Sequence, residues 1–133
     1  MHGEPIMISL NEFKSASDVQ VLISKLFETR DFAHGAHLRT NSYAQHKALN
    51  KFYDDILGLT DSFVETYQGQ YGIIKFSFEA PKIGDPVSYL EDAAKIFIEA
   101  HNSIDKKDTH LHNILDEIVG FTYSTLYKLK FLK

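Results

Sequence analysis

Gln70-Tyr71-Gly72-Ile73-Ile74-Lys75-Phe76-Ser77-Phe78-Glu79-Ala80-Pro81-Lys82-Ile83-Gly84-Asp85 is the stretch on which the fold turns. Ile74, Phe76 and Phe78 alternate with polar neighbours, the period-two pattern of extended chain, and Pro81, Gly84 and Pro86 set it against helix. On either side the apolar residues return to helical spacing. Extended chain of about sixteen residues reaches about 50 Å, whereas a helix of about 25 residues is about 38 Å long. The segment is therefore long enough to carry the chain from one end of a helical bundle to the other.

Upstream, Ser42-Tyr43-Ala44-Gln45 matches a capping box, in which serine and glutamine satisfy backbone donors at a helix start. Leu49, Phe52, Tyr53, Ile56, Leu59, Phe63 and Tyr67 then form one apolar face, and Gly69 is the expected stop. An earlier helix is expected to begin near Ser15 or Ser17, with Val19, Ile23, Leu26, Ala33 and His37 on its stripe until Thr40-Asn41-Ser42 break it. Residues 1–14 read as an N-terminal arm whose apolar part is Ile6 to Leu10.

Downstream, Asp85 as cap and Pro86 at the first helical position open a third helix, with Val87, Leu90, Ala94, Phe97, Ile98 and His101 on one side. After a turn from Asn102 to Lys107, a fourth helix starts near Asp108. It carries Leu111, Ile114, Leu115, Ile118, Phe121, Leu126 and Leu129, and ends in Lys128, Lys130 and Lys133, where the helix dipole favours cations. Short first and third connections make antiparallel hairpins, and the long middle one makes a crossover. The expectation is a single all-α domain over residues 1–133: a ferritin-like four-helix bundle with one long extended crossover, residues 70–85, between helices 2 and 3.

Composition narrows the function. At 133 residues and 44% hydrophobic, the chain has material for one core. It contains no cysteine, so thiolate chemistry and disulfides are out. A net charge of −4 argues against phosphate-backbone binding, so nucleic acid is not expected as a partner. No apolar run approaches the roughly 18 residues of a membrane span, and no signal peptide is evident, so no membrane partner and a cytoplasmic location are expected. There is no Glu-x-x-His pair of the intrasubunit di-iron bundles, no Gly-rich phosphate loop, no His-Glu-x-x-His motif and no nucleophile elbow.

What remains is a run of imidazoles and carboxylates: His34, His37, His46, Asp61 and Glu65, with Tyr53 among them. Imidazole and carboxylate projecting from neighbouring helices are what bundles use to hold iron or manganese. Asp61 and Glu65 are i,i+4 neighbours, but they lie more than about 20 Å along the helix from His46. One chain cannot close such a site. An antiparallel pairing of two second helices would, so metal binding here requires a symmetric dimer. Each residue also has a plainer role: the carboxylates as a solvated face, His37 as a core histidine, His46 as a hydrogen-bonding loop residue. Asp108, His110 and His112 form a second histidine-carboxylate group, for which an exposed helix start is the simpler account.

Two histidines twelve apart, an aspartate fifteen later and a glutamate four beyond that resemble the ferroxidase motif of Dps, the mini-ferritin family. That resemblance implies iron as the metal, a site shared between the histidines of one subunit and the carboxylates of its dimer partner, and oxidation of ferrous iron by peroxide. The family has Trp after its first histidine, and this chain has none. An alternative register sets His37-Leu38 on that pair. The chain also lacks the family's extra crossover helix and basic tail. The phrase His-Leu-x-Thr-x-Ser-Tyr-Ala-x-His-x-Ala-Leu, His37 to Leu49, is similar to an uncharacterised group of small phage-encoded proteins, which would place the chain in host cytoplasm. Two functional expectations follow: a Dps-like iron-binding protein or ferroxidase, and a non-enzymatic ferritin-like interaction or assembly protein of phage type with a degenerate site. Both imply at least a homodimer.

Overall fold

A computed structural model describes residues 10–133, and side chains from residue 16 onward. Four helices make up the described chain: α1 (Leu10–Arg39), α2 (Tyr43–Tyr71), α3 (Pro86–Ser103) and α4 (Thr109–Phe131). Among the described residues there is no strand. The expected arm is corrected in part. Residues 10–14 are the first turn and more of α1, because nothing between Leu10 and Ser17 interrupts a helix, while residues 1–9 lie outside the described residues.

Caps set the other boundaries. Ser42 Oγ accepts from the Gln45 amide at 3.2 Å. The reciprocal arm of the expected box runs through Thr40: the Ser42 amide donates to Thr40 Oγ1 at 3.1 Å, and that hydroxyl donates to Gln45 Oε1 at 2.9 Å. Asp85 caps α3 by accepting from the Ser88 amide at 2.9 Å, with Pro86 in the first turn. The expected stop at Gly69 is corrected. α2 runs on to Tyr71 and ends at Gly72, whose φ of 95° belongs to a region that glycine alone enters cheaply.

Neighbouring helices run antiparallel, α1 beside α2 and α3, α4 beside the same two. Side-chain contacts give the directions. Ser103 at the end of α3 donates to Asp18 near the start of α1. Tyr89 at the start of α3 stacks on Phe32 late in α1, with ring centroids 3.8 Å apart. Lys130 at the end of α4 meets Glu91 at 2.8 Å. The helices enclose one core, in which Leu22, Ile23, Leu26, Leu49, Phe52, Ile56, Phe63, Leu90, Phe97, Leu111, Leu115 and Ile118 are fully buried. Burying a side chain of this size is worth roughly 1.5–3 kcal/mol, so this stripe, which the sequence spacing largely indicates, holds the bundle together.

Residues 72–85 cross the length of the bundle over α1. Gln20 Nε2 donates to the Lys75 carbonyl at 2.9 Å, and the Phe27 ring stacks with both Phe76 and Phe78 at 5.1 Å. The strap forms no ladder with a second strand, so its alternation reflects one side resting on helix.

Candidate functional site

The α1–α2 turn gathers three of the five expected metal residues. In the last turn of α1 the His37 carbonyl lacks an intrahelical partner, and His46 on the facing turn of α2 supplies one, with Nδ1 2.8 Å away. A carbonyl only accepts, so Nδ1 carries the proton that makes this bond. The same geometry lays the His46 ring on the His37 ring, centroids 4.1 Å apart and 24° between planes. One turn earlier, His34 stacks almost flat on Tyr53 of α2, at 4.2 Å and 4°. Tyr53 also tilts against His37 at 5.2 Å. His37 is the buried member, 8% exposed, and its Nδ1 has no hydrogen-bond partner.

These rings form two stacked pairs, His34 on Tyr53 and His37 on His46, with the His34 and His37 rings 6.0 Å apart and tilted 47° to each other. A metal needs the nitrogen lone pairs to converge on one point about 2 Å away, and ring-on-ring stacking of His37 and His46 does not aim them so. Asp61 and Glu65 lie exposed on the outer side of α2, about 20 Å or more along the helix from His46. Among the described residues no group of three or more histidines and carboxylates is placed to hold a metal ion. Within one chain, then, His34, His37, His46, Asp61 and Glu65 do not fit a metal.

A second polar cluster lies at the opposite end. Asp108 opens α4, yet its carboxylate makes no cap bond. It turns back to the end of α2, accepting from Gln70 Nε2 at 2.8 Å and from the Tyr71 hydroxyl. His110 Nε2 donates to Gln70 Oε1 at 2.6 Å. Burial of Asp108 pushes its carboxyl up. The Tyr71 and Gln70 hydrogen bonds and the nearby His110 and His112 outweigh that and hold it below the usual aspartate value. The same bond, followed by burial and the Asp108 charge, raises the Tyr71 hydroxyl.

His112 points the other way. Its Nε2 donates to the Ile104 and Asp105 carbonyls, both at 3.1 Å, while Nδ1 lies 3.1 Å from His101 Nε2, which in turn meets Asp116 Oδ1 at 2.9 Å. The expected grouping of Asp108 with His110 and His112 is thus divided between two tasks: tying the α2 end to α4, and bracing the α3–α4 turn. Gln70, Tyr71 and Asp116 escape sequence reasoning, because nothing in a helix-end Gln-Tyr pair signals an aspartate 37 residues away.

The outer face of α4 is the remaining unusual surface. Tyr123, Tyr127 and Phe131 follow one another at i and i+4 on the side away from the core, 50%, 56% and 70% exposed. Gly120 stands on the same face with open space above it.

Fold and site together define a small four-helix protein with a histidine-aromatic stack at one hairpin and an aromatic ridge on its last helix. By sequence the chain belongs to the family of unknown function DUF5856, whose model matches residues 37–129. The matched span begins at His37 and takes in His46, Tyr53, Asp61, Glu65 and the α4 ridge up to Tyr127. A relative in Enterobacteria phage T4, described as an uncharacterized 14.6 kDa protein in the mobD-ri intergenic region, is 32% identical over 108 residues, 78% of this chain and 81% of the relative. No solved structure matches the chain. No described helix is long and apolar enough to cross a membrane.

Proposed function

We propose that this chain is a non-enzymatic interaction or assembly protein of phage type, built on a ferritin-like bundle and working in host cytoplasm. The observation that carries the reading is the ridge of Tyr123, Tyr127 and Phe131, half or more exposed and directed away from a core that is otherwise filled. Tyrosine and phenylalanine are enriched at protein interfaces, and adjacent exposed aromatics on a small protein mark contact surfaces. The histidines agree with a structural role, since His46 ties down the turn and its ring covers His37. The single crossover over α1 and the antiparallel neighbours support the ferritin-like placement.

A Dps-like iron site, and with it ferroxidase activity, is the second reading. It is favoured by the exposure of His34, Asp61 and Glu65, all three of which a second subunit could reach. Ferrous iron titration followed by ultraviolet absorbance, with solution mass measured in parallel, separates the two. The interaction reading expects weak uptake that His46→Ala and Asp61→Ala leave unchanged. Saturable uptake abolished by either substitution would overturn it in favour of the iron site.

A further inference from the structure

We infer that the partner of the α4 face is a second copy of this chain, docked antiparallel along α4; this rests on the interaction reading above and gives it a specific occupant. The ridge is self-complementary in shape. Gly120, Tyr123, Ser124, Tyr127 and Phe131 lie along one side of the helix, opposite Leu111, Leu115, Ile118, Thr122 and Leu129, which face the core. Gly120 presents bare backbone, and among the described residues a Cβ added there would meet nothing within 4 Å beyond the adjoining backbone of α4 itself. Two α4 helices related by a two-fold axis between Tyr123 and Ser124 set Gly120 of each copy opposite Tyr127 of the other. Each Tyr127 ring then has a flat place to lie, and the one contact occurs twice, as an isologous interface requires.

Charge is complementary in the same register. The first half of the outer face carries Asp116 and Glu117, and the last turn carries Lys128 and Lys130. A parallel pair would set like charges together. The antiparallel pair brings Glu117 of each copy beside Lys128 of the other, both on the flank of the ridge nearer α2, and also opposes the helix dipoles. Lys130 lies on the opposite flank, nearer α3, and keeps its pair with Glu91.

Size sets the affinity. A large aromatic side chain buries about 150–250 Å² when fully covered, so three that are half or more exposed supply on the order of 300–400 Å² per copy. A standard interface needs about 800 Å² per partner. The rest must come from Gly120, Ser124, Leu132 and the aliphatic parts of the lysines. A seam of this size makes a weak dimer, seen toward the upper end of a concentration series.

Sedimentation equilibrium on the full chain tests this. The wild type should pass from monomer to dimer with rising concentration. Tyr127→Glu, an exposed position, should weaken the dimer at least tenfold while leaving the melting curve in place. Glu117→Lys should weaken it less, and Glu117→Lys with Lys128→Glu should recover it. Because the chain has no cysteine, Ser124→Cys gives an independent readout: near the two-fold axis it should oxidise to a covalent dimer, whereas Ser62→Cys on the exposed side of α2 should not. A monomer at all concentrations overturns the proposal. So does a dimer indifferent to Tyr127→Glu. If such a dimer is instead broken by Asp61→Lys and Glu65→Lys, pairing runs through α2 and the interaction reading survives without the α4 register. A monomer with saturable iron uptake removes both.

Discussion

His46 holds the α1–α2 turn by two contacts of different kind, one hydrogen bond to the His37 carbonyl and one ring stack. The bond is worth about 1 kcal/mol and an aromatic stack about 0.5–1.5 kcal/mol. His46→Ala should therefore lower stability by about 1.5–2.5 kcal/mol in urea unfolding, and His46→Phe, which retains only the stack, should recover roughly half. Equal losses in both variants would show that the stack contributes nothing. At the other end, the Asp108 carboxyl is held below its ordinary value in the folded chain. A depressed folded-state pKa adds stability above the unfolded-state value, near pH 4, and that stability drains away as pH falls through the folded-state value. Asp108→Asn should cost stability at pH 7 and flatten the acid limb, so that mutant and wild-type urea midpoints approach each other below about pH 4. Midpoints that stay parallel across that range would mean the carboxylate charge is not what Tyr71 and Gln70 recognise. Sequence reading picks out most of these residues but assigns them different work. Histidine spacing along a helix is visible in one dimension, whereas whether two rings stack or converge depends on the approach of the neighbouring helix.

At the level of the element, starts are more legible than stops. Ser42, Asp85 and Pro86 announce themselves because a cap is a short-range device in which one side chain meets an amide three residues on. The end of α2 does not. Gly69 and Gly72 are equally good stops by composition, and what selects Gly72 is remote: Gln70 and Tyr71 must remain helical for their side chains to reach Asp108. The two kinds of glycine should respond oppositely to alanine. Gly58 is an exposed interior position of α2 with nothing within 4 Å of an added Cβ, so Gly58→Ala should stabilise by about 0.5–1 kcal/mol. Gly72 has the same open space but a φ of 95°, and Gly72→Ala should destabilise by about 1–3 kcal/mol. Thermal unfolding of the pair decides it. A stabilising Gly72→Ala would mean that the helix end can be rebuilt without the positive φ.

Taken as a whole, the bundle owes its topology to the reach of one strap, and this is the property most readable from sequence. Length alone requires that residues 72–85 can span the helices, and Pro81, Gly84 and Pro86 keep them from forming a fifth. What length cannot tell is which groove the strap follows, because that is set by Phe27, which meets Phe76 and Phe78 across nearly fifty residues of chain. Those two rings remain 37% and 41% exposed, so they hold the strap while contributing little to the core. Local opening of a segment with few buried contacts costs far less than global unfolding, and a protease reads the difference. Phe27→Ala should accordingly speed chymotrypsin cleavage between residues 72 and 85 several-fold, while the far-ultraviolet dichroism and the cooperative melt change little. If the melt falls together with the cleavage rate, the strap is part of the folding unit and the four helices depend on it for more than connection. If neither moves, the Gln20 bond to the Lys75 carbonyl, rather than the aromatic triplet, is the fastening.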